Sequence, residues 1–209
     1  MESPESPRTL AFAGQACINA RVSAEAPIRK PLIPNGVLGM LIFVLTEIML
    51  FAGLISAFAI TKAAAPFGWP PPGQPRLPVE ITAVNTAALL VSGAVLYWAQ
   101  RRFAKDEATA KWPLLAALVL GSAFVLVQGG EWVALIGQGL TLTSGPLGAF
   151  FYLIVGCHAL HAVIAIAALA WAFGRLVRGT LEAPSFWTVQ VFWYFVVGIW
   201  PVLYVQVYL

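Results

Sequence analysis

Four ionisable side chains stand inside long apolar stretches of the chain: Glu47, Glu131, His158 and His161. Charge at membrane depth is costly, so each is by default a candidate functional group. Gln128 and Glu131 share one helical face, as do His158 and His161, because helical residues three apart are neighbours. Two carboxylates and two imidazoles invite a metal reading, since helix bundles build carboxylate–histidine centres from facing helices. Haem is also held by histidine. Against a di-metal site, no Glu-x-x-His pairing occurs. The two carboxyls also differ in depth by about two helical turns. Against a redox path, both imidazoles lie on one side of one helix. No metal is expected in this chain; the histidines are expected to hydrogen-bond across helices to carboxylates or backbone, the ordinary fate of polar groups between transmembrane helices. Glu47, flanked by LIFVLTEIMLFAGL, has no charge to pair with inside its own span. It reads either as a proton-accepting group, as an anchor for a polar neighbour or lipid head group, or as a hydrogen-bonded structural carboxyl.

The elements that must position these groups follow from composition. Of 209 residues, 60% are hydrophobic and only 10% charged, with a mean hydropathy of +0.83. An average soluble domain is about half apolar and about a quarter charged. A soluble enzyme, a nucleic-acid module and a disordered regulator are therefore excluded. A net charge of +3 gives no reason to expect a nucleic-acid partner. Cys17 and Cys157 stand far apart without zinc spacing or a disulfide framework.

A membrane span needs about 20 mostly apolar residues. Five stretches qualify, at about 37–61, 79–99, 112–138, 147–173 and 186–209. All are expected to be helical, because backbone in lipid must satisfy its own hydrogen bonds and no alternating barrel pattern is present. The expected fold is thus all-α, a polytopic bundle of five transmembrane helices over 33–209. Residues 1–32 are expected to form a mobile tail. Small residues such as Gly36, Gly39, Gly53, Gly156 and Ala159 are expected to let helices approach closely. Trp69, Trp112, Trp187 and Tyr208 are expected in the interfacial belt. Ten of the twelve lysines and arginines fall in the tail, the 101–111 loop and the 174–185 loop. The excess of positive charge on cytoplasmic loops then puts the N-terminus in the cytoplasm and the C-terminus outside.

Four segments in series, NGVLGMLIFVLTEIMLFAGLISAF (35–58), QGGEW (128–132), GCHALHAVIA (156–165) and FWYFVVGIWPVLYVQVYL (192–209), resemble subunit III of the cytochrome c oxidase family. The resemblance runs from about Pro34 to the end, in the shorter bacterial form with five spans in place of seven. It implies a subunit without haem or copper of its own, held in a hetero-oligomeric complex beside subunits I and II, which carry the haem and copper. It further implies bound phospholipid, support of proton uptake, protection of the catalytic subunit, and residence in the bacterial inner membrane. Glu47 matches the family's mid-membrane glutamate, Glu131 its Gln-x-x-Glu carboxylate, and His158 and His161 its Gly-x-His-x-x-His segment. Two departures stand out: Tyr194 replaces an expected histidine and Val197 an expected aspartate. The family also includes a protein accompanying nitric oxide reductases, which leaves a second partner enzyme open. A stand-alone proton-coupled transporter using Glu47 and Glu131 is the alternative from another class; spans two and five offer it few polar groups beyond Asn85, Thr86 and Gln190.

Overall fold

The computed structural model describes residues 33–65, 75 and 77–208. The expected tail, together with Trp69 in the first loop, lies outside the described residues. Five helices long and apolar enough to cross a membrane are present: α1 (Asn35–Ala63), α2 (Val79–Phe103), α3 (Lys111–Gly137), α4 (Pro146–Val177) and α5 (Ala183–Tyr208). Each agrees with its expected span to within a few residues. A short 3₁₀ turn, Glu107–Ala110, leads into α3, its first N–H groups capped by Asp106 Oδ1 accepting from Ala108 N at 3.0 Å.

Local chemistry sets the helix ends. Pro34 and Pro78 precede α1 and α2, and Pro146 opens α4, where a missing N–H costs nothing. The ends of α3 and α4 share one device. Gly139 (φ 90°) and Gly179 (φ 66°) take the left-handed conformation that a glycine adopts without steric penalty. Leu140 N then donates to Leu135 O at 3.0 Å, and Thr180 N to Arg175 O at 2.9 Å. Leu140 is fully buried, supplying the apolar contact that accompanies such an ending.

Packing sorts the helices into a ring and an outrigger. Contacts run α2–α3, α3–α4, α4–α5 and α5–α2, closing a four-membered ring, while α1 lies in the groove between α5 and α4. The inward stripe of α1 is Val37, Met40, Val44, Glu47, Phe51, Leu54 and Phe58, spaced alternately three and four residues as a packed seam requires. Of these only Phe51 and Phe58 are fully buried. The other face of α1, including Leu38, Ile42, Leu45, Met49 and Ile60, is bare.

The small residues meet expectation only in part. Around Gly39 and Gly53 nothing lies within 4 Å of where a Cβ would stand. Both fall on the uncovered side of α1, so no neighbour exploits their size. Gly156 meets Trp132 only at ordinary contact, 3.6 Å. Close approaches occur at Gly36, where Thr188 Oγ1 of α5 would stand 3.0 Å from a Cβ, and also inside the ring, at Gly121 beneath the Trp193 ring and at Gly93 beneath Val197 Cγ1, 3.1 Å away. Tyr208, the last residue of α5, is buried, with its hydroxyl taken by the Gln128 amide, whereas Trp112 is 79% exposed.

Gly121→Ala drives a methyl into the Trp193 indole and is expected to cost about 1–3 kcal/mol by overpacking. Gly198→Ala, where no atom stands within 4 Å, is expected to be neutral or to stabilise by up to about 1 kcal/mol. Unfolding of the two variants in detergent, side by side, checks both.

Candidate functional site

Glu47 finds its partner on another helix. His161 Nε2 lies 3.1 Å from Glu47 Oε2, with the two side chains 10% and 15% exposed. The approach falls short of a well-aligned hydrogen bond. On the other edge of the ring, His161 Nδ1 lies 2.7 Å from the carbonyl of Cys157, one turn earlier in α4. A carbonyl only accepts, so Nδ1 must carry a proton. Nε2 is then the ring nitrogen that faces the Glu47 carboxyl.

Aromatic rings enclose the pair. Phe51, one turn beyond Glu47 on α1, meets the His161 ring edge-on at 5.7 Å, and Phe192 and Phe195 of α5 meet it at 6.2 and 6.0 Å. Low polarity around the pair strengthens its attraction and penalises leaving either member unpaired.

His158 does not follow its neighbour. It is buried against Trp200, with ring centroids 4.8 Å apart, and is flanked by Phe51 and Phe124. Neither of its ring nitrogens has a hydrogen-bond partner among the described residues. The approach to a carboxyl on another helix is thus made by His161 and not by His158, and His161's hydrogen bond stays within α4: the stripe that carries both histidines turns His158 toward the ring interior, away from Glu47. Glu131 is not brought to the pair. It stands half-buried on α3, without an ion pair or hydrogen bond among the described residues. Among those residues no three His, Cys, Asp or Glu side chains gather as a metal-holding group.

Sequence reasoning passed over a second polar system. Thr82, Asn85, Thr86 and Ser92 form the inward stripe of α2. Asn85 Nδ2 donates to Phe124 O at 3.0 Å and Ser92 Oγ to Ala117 O at 2.9 Å, tying α2 to backbone of α3. Trp200 Nε1 donates to Thr86 Oγ1 at 2.8 Å and Tyr204 Oη to Val79 O at 3.1 Å, tying α5 to α2. Gln128 Nε2 donates to Tyr208 Oη at 2.9 Å, tying α3 to α5. The signal was the three-and-four spacing of small polar residues on span two. The departures in α5 make sense within this packing. Val197 fills the space left by Gly93, an apolar contact in which an aspartate would be buried without a partner. Tyr194 is half-buried, with its hydroxyl unpartnered among the described residues.

A double-mutant cycle with Glu47→Gln and His161→Asn is expected to give a coupling of about 0.6–2 kcal/mol, the range for polar contacts between membrane helices. Thermal unfolding of the four proteins in one detergent measures it; additive single effects would remove the pair as a tie between α1 and α4.

With this geometry established, comparison with known proteins is informative. Residues 28–209 match the family described as cytochrome c oxidase subunit III. The cytochrome c oxidase subunit 3 of Lemur catta is 32% identical over 179 residues, covering 81% of this chain and 64% of the relative. That of Raphicerus campestris is 31% identical over 182 residues and that of Bos taurus 30% over 179, each covering 81% of this chain and 67% of the relative. The chain thus spans about two thirds of the length of these relatives. A family match over the whole described bundle, together with five helices among the described residues that are long and apolar enough to cross a membrane, leads to one conclusion: the chain belongs to the cytochrome c oxidase subunit III family, as an integral membrane protein.

Proposed function

We propose that this chain is a non-catalytic subunit of a haem–copper terminal oxidase, the complex that reduces dioxygen to water while pumping protons. Its part is to brace the haem-bearing subunit I beside subunit II, to hold phospholipid and to support proton uptake. The observation that carries this reading is the Glu47–His161 pair, set 3.1 Å apart on a helix whose outer face is bare and apolar. An aliphatic stripe of that extent is ordinary against lipid and equally suited to a companion helix. A subunit with no haem of its own is supported by His161, whose Nδ1 is bonded to the Cys157 carbonyl and whose Nε2 faces Glu47, and by the packing of His158 against aromatic rings. Redox chemistry is accordingly assigned to the companion subunits.

Phospholipid binding is supported at the opposite ends of α2 and α4 from their starts. Arg101 lies over Tyr97 at 5.8 Å, Arg102 over Trp98 at 4.4 Å, and Arg175 over Trp171 at 5.3 Å. Arg175 is further fixed by two bonds to Thr180 O, at 3.0 and 2.9 Å. Guanidinium groups laid on interfacial aromatics, with Lys105 and Arg178 nearby, suit anionic head groups.

In the co-expressed complex, Glu47→Gln is expected to preserve assembly, because the amide still reaches His161, while removing the ionisable carboxyl. Turnover is then expected to decline several-fold sooner during continuous oxygen reduction. Unchanged turnover, pumping and lifetime would remove the proton-related role. The arginine-rich ends belong on the cytoplasmic side in this reading. A cysteine replacing Lys105 is therefore expected to react with an impermeant maleimide only when that face is accessible.

A further inference from the structure

A pocket of about 370 Å³ lies where α2 ends and the chain turns toward α3, lined by Trp98, Arg101, Arg102, Lys105, Asp106 and Thr109. That volume is within the range of small-molecule sites, about 300–1,000 Å³. Three of the lining residues are cations, and none of them has a carboxylate at ion-pair distance among the described residues. Arg102 lies over the Trp98 ring at 4.4 Å, and Arg101 makes only a long contact, 3.4 Å, from a terminal guanidinium nitrogen to Tyr97 Oη. The acid within the pocket is engaged with backbone instead: Asp106 Oδ1 accepts from Ala108 N at 3.0 Å. Three cations against one carboxylate leave the pocket net positive. The second basic pocket, at the end of α4, differs. Its Arg175 already donates twice to Thr180 O, which leaves Arg178 as its one cation without a side-chain partner among the described residues.

An apolar track runs into the α2 pocket. Val84, Ala87, Val91, Ala94 and Trp98 are all exposed and are spaced alternately three and four residues apart, so they share one face of α2. Arg101 and Lys105 continue the same spacing, which places Trp98 where hydrocarbon-facing residues give way to charge. The track covers about 20 Å at ~1.5 Å per residue, more than half of a ~30 Å layer, and so can follow one acyl chain through its leaflet.

We propose that this pocket is a head-group site selective for an anionic phosphodiester lipid, with the phosphate among Arg101, Arg102 and Lys105 and one acyl chain along the α2 track. It rests on the phospholipid-holding role proposed above and adds to it a place and a charge preference. Guanidinium groups present paired N–H donors that match phosphate oxygens. A zwitterionic head group would bring its own cation toward three others, whereas an anionic one gains from each of them. A free phosphate ester would meet the cations but leave the apolar track without a use.

The test uses the full chain in mixed micelles holding equal amounts of phosphatidylglycerol and phosphatidylcholine, with retained lipid counted by native mass spectrometry. Phosphatidylglycerol is expected to be retained about tenfold over phosphatidylcholine, a preference that falls as salt rises. Arg102→Gln and Lys105→Gln are each expected to weaken its retention about fivefold, while Lys62→Gln, the same change of charge on α1, leaves it intact. Equal retention of the two lipids by the unmodified protein overturns the site and leaves the broader lipid-holding role standing; this comparison holds even if a variant fails to fold. Retention of neither lipid overturns both. Equal losses in Lys62→Gln and Lys105→Gln overturn the placement on α2. Displacement of phosphatidylglycerol by millimolar sn-glycerol 3-phosphate overturns a lipid site in favour of one for soluble phosphate esters.

Discussion

The hydrocarbon layer offers a polar group no partner, and that absence governs this molecule more than any single contact does. Helices satisfy their own backbones, which leaves side chains as the only polar groups whose partners are open to choice. Within the ring, the choice is consistently a short side chain on one helix reaching a carbonyl or hydroxyl on the next: Asn85 to Phe124, Ser92 to Ala117, Trp200 to Thr86, Gln128 to Tyr208. Between the ring and α1, Glu47 and His161 make the one ion pair among the described residues. The ring is thus bound by several neutral ties, and the outrigger by a single one in which charge is involved.

This division explains why glycine matters where it does. Hydrophobic association between helices is weak in lipid, so close packing and hydrogen bonds carry the assembly. Gly93 and Gly121 let Val197 and Trp193 of α5 press against the backbones of α2 and α3, near the level where Ser92 reaches α3. Gly39 and Gly53, on a helix with one covered face, have no such duty.

Much of this was legible in the chain. The five spans were, because long apolar runs broken by proline-rich or charged loops leave few alternatives. Glu47 was identifiable as exceptional, but its partner was not: pairing joins α1 to α4 across more than a hundred residues, and spacing within one span carries no record of its neighbour. The seam Val37, Met40, Val44, Glu47, Phe51 was present as a three-and-four repeat, yet hidden because the residues between its members are equally apolar. The divergence of His158 from His161 was hidden for a related reason. Residues three apart share a face broadly, but about 60° of rotation between them is enough to send one toward α1 and the other toward Trp200. The inward polar stripe of α2 was readable and simply looked too sparse to matter.

The closeness of the Glu47 carboxyl to the His161 ring has an electrical consequence. A respiratory membrane sustains a voltage, and an isolated charge moved through all of it changes energy by about 2.3 kcal/mol per 100 mV. A lone carboxylate midway along α1 would transmit that force to a helix resting in an open groove. With His161 Nε2 only 3.1 Å from Oε2, a proton passing between the two would cross a small part of a layer about 30 Å deep, so exchange inside this clasp is nearly blind to the field.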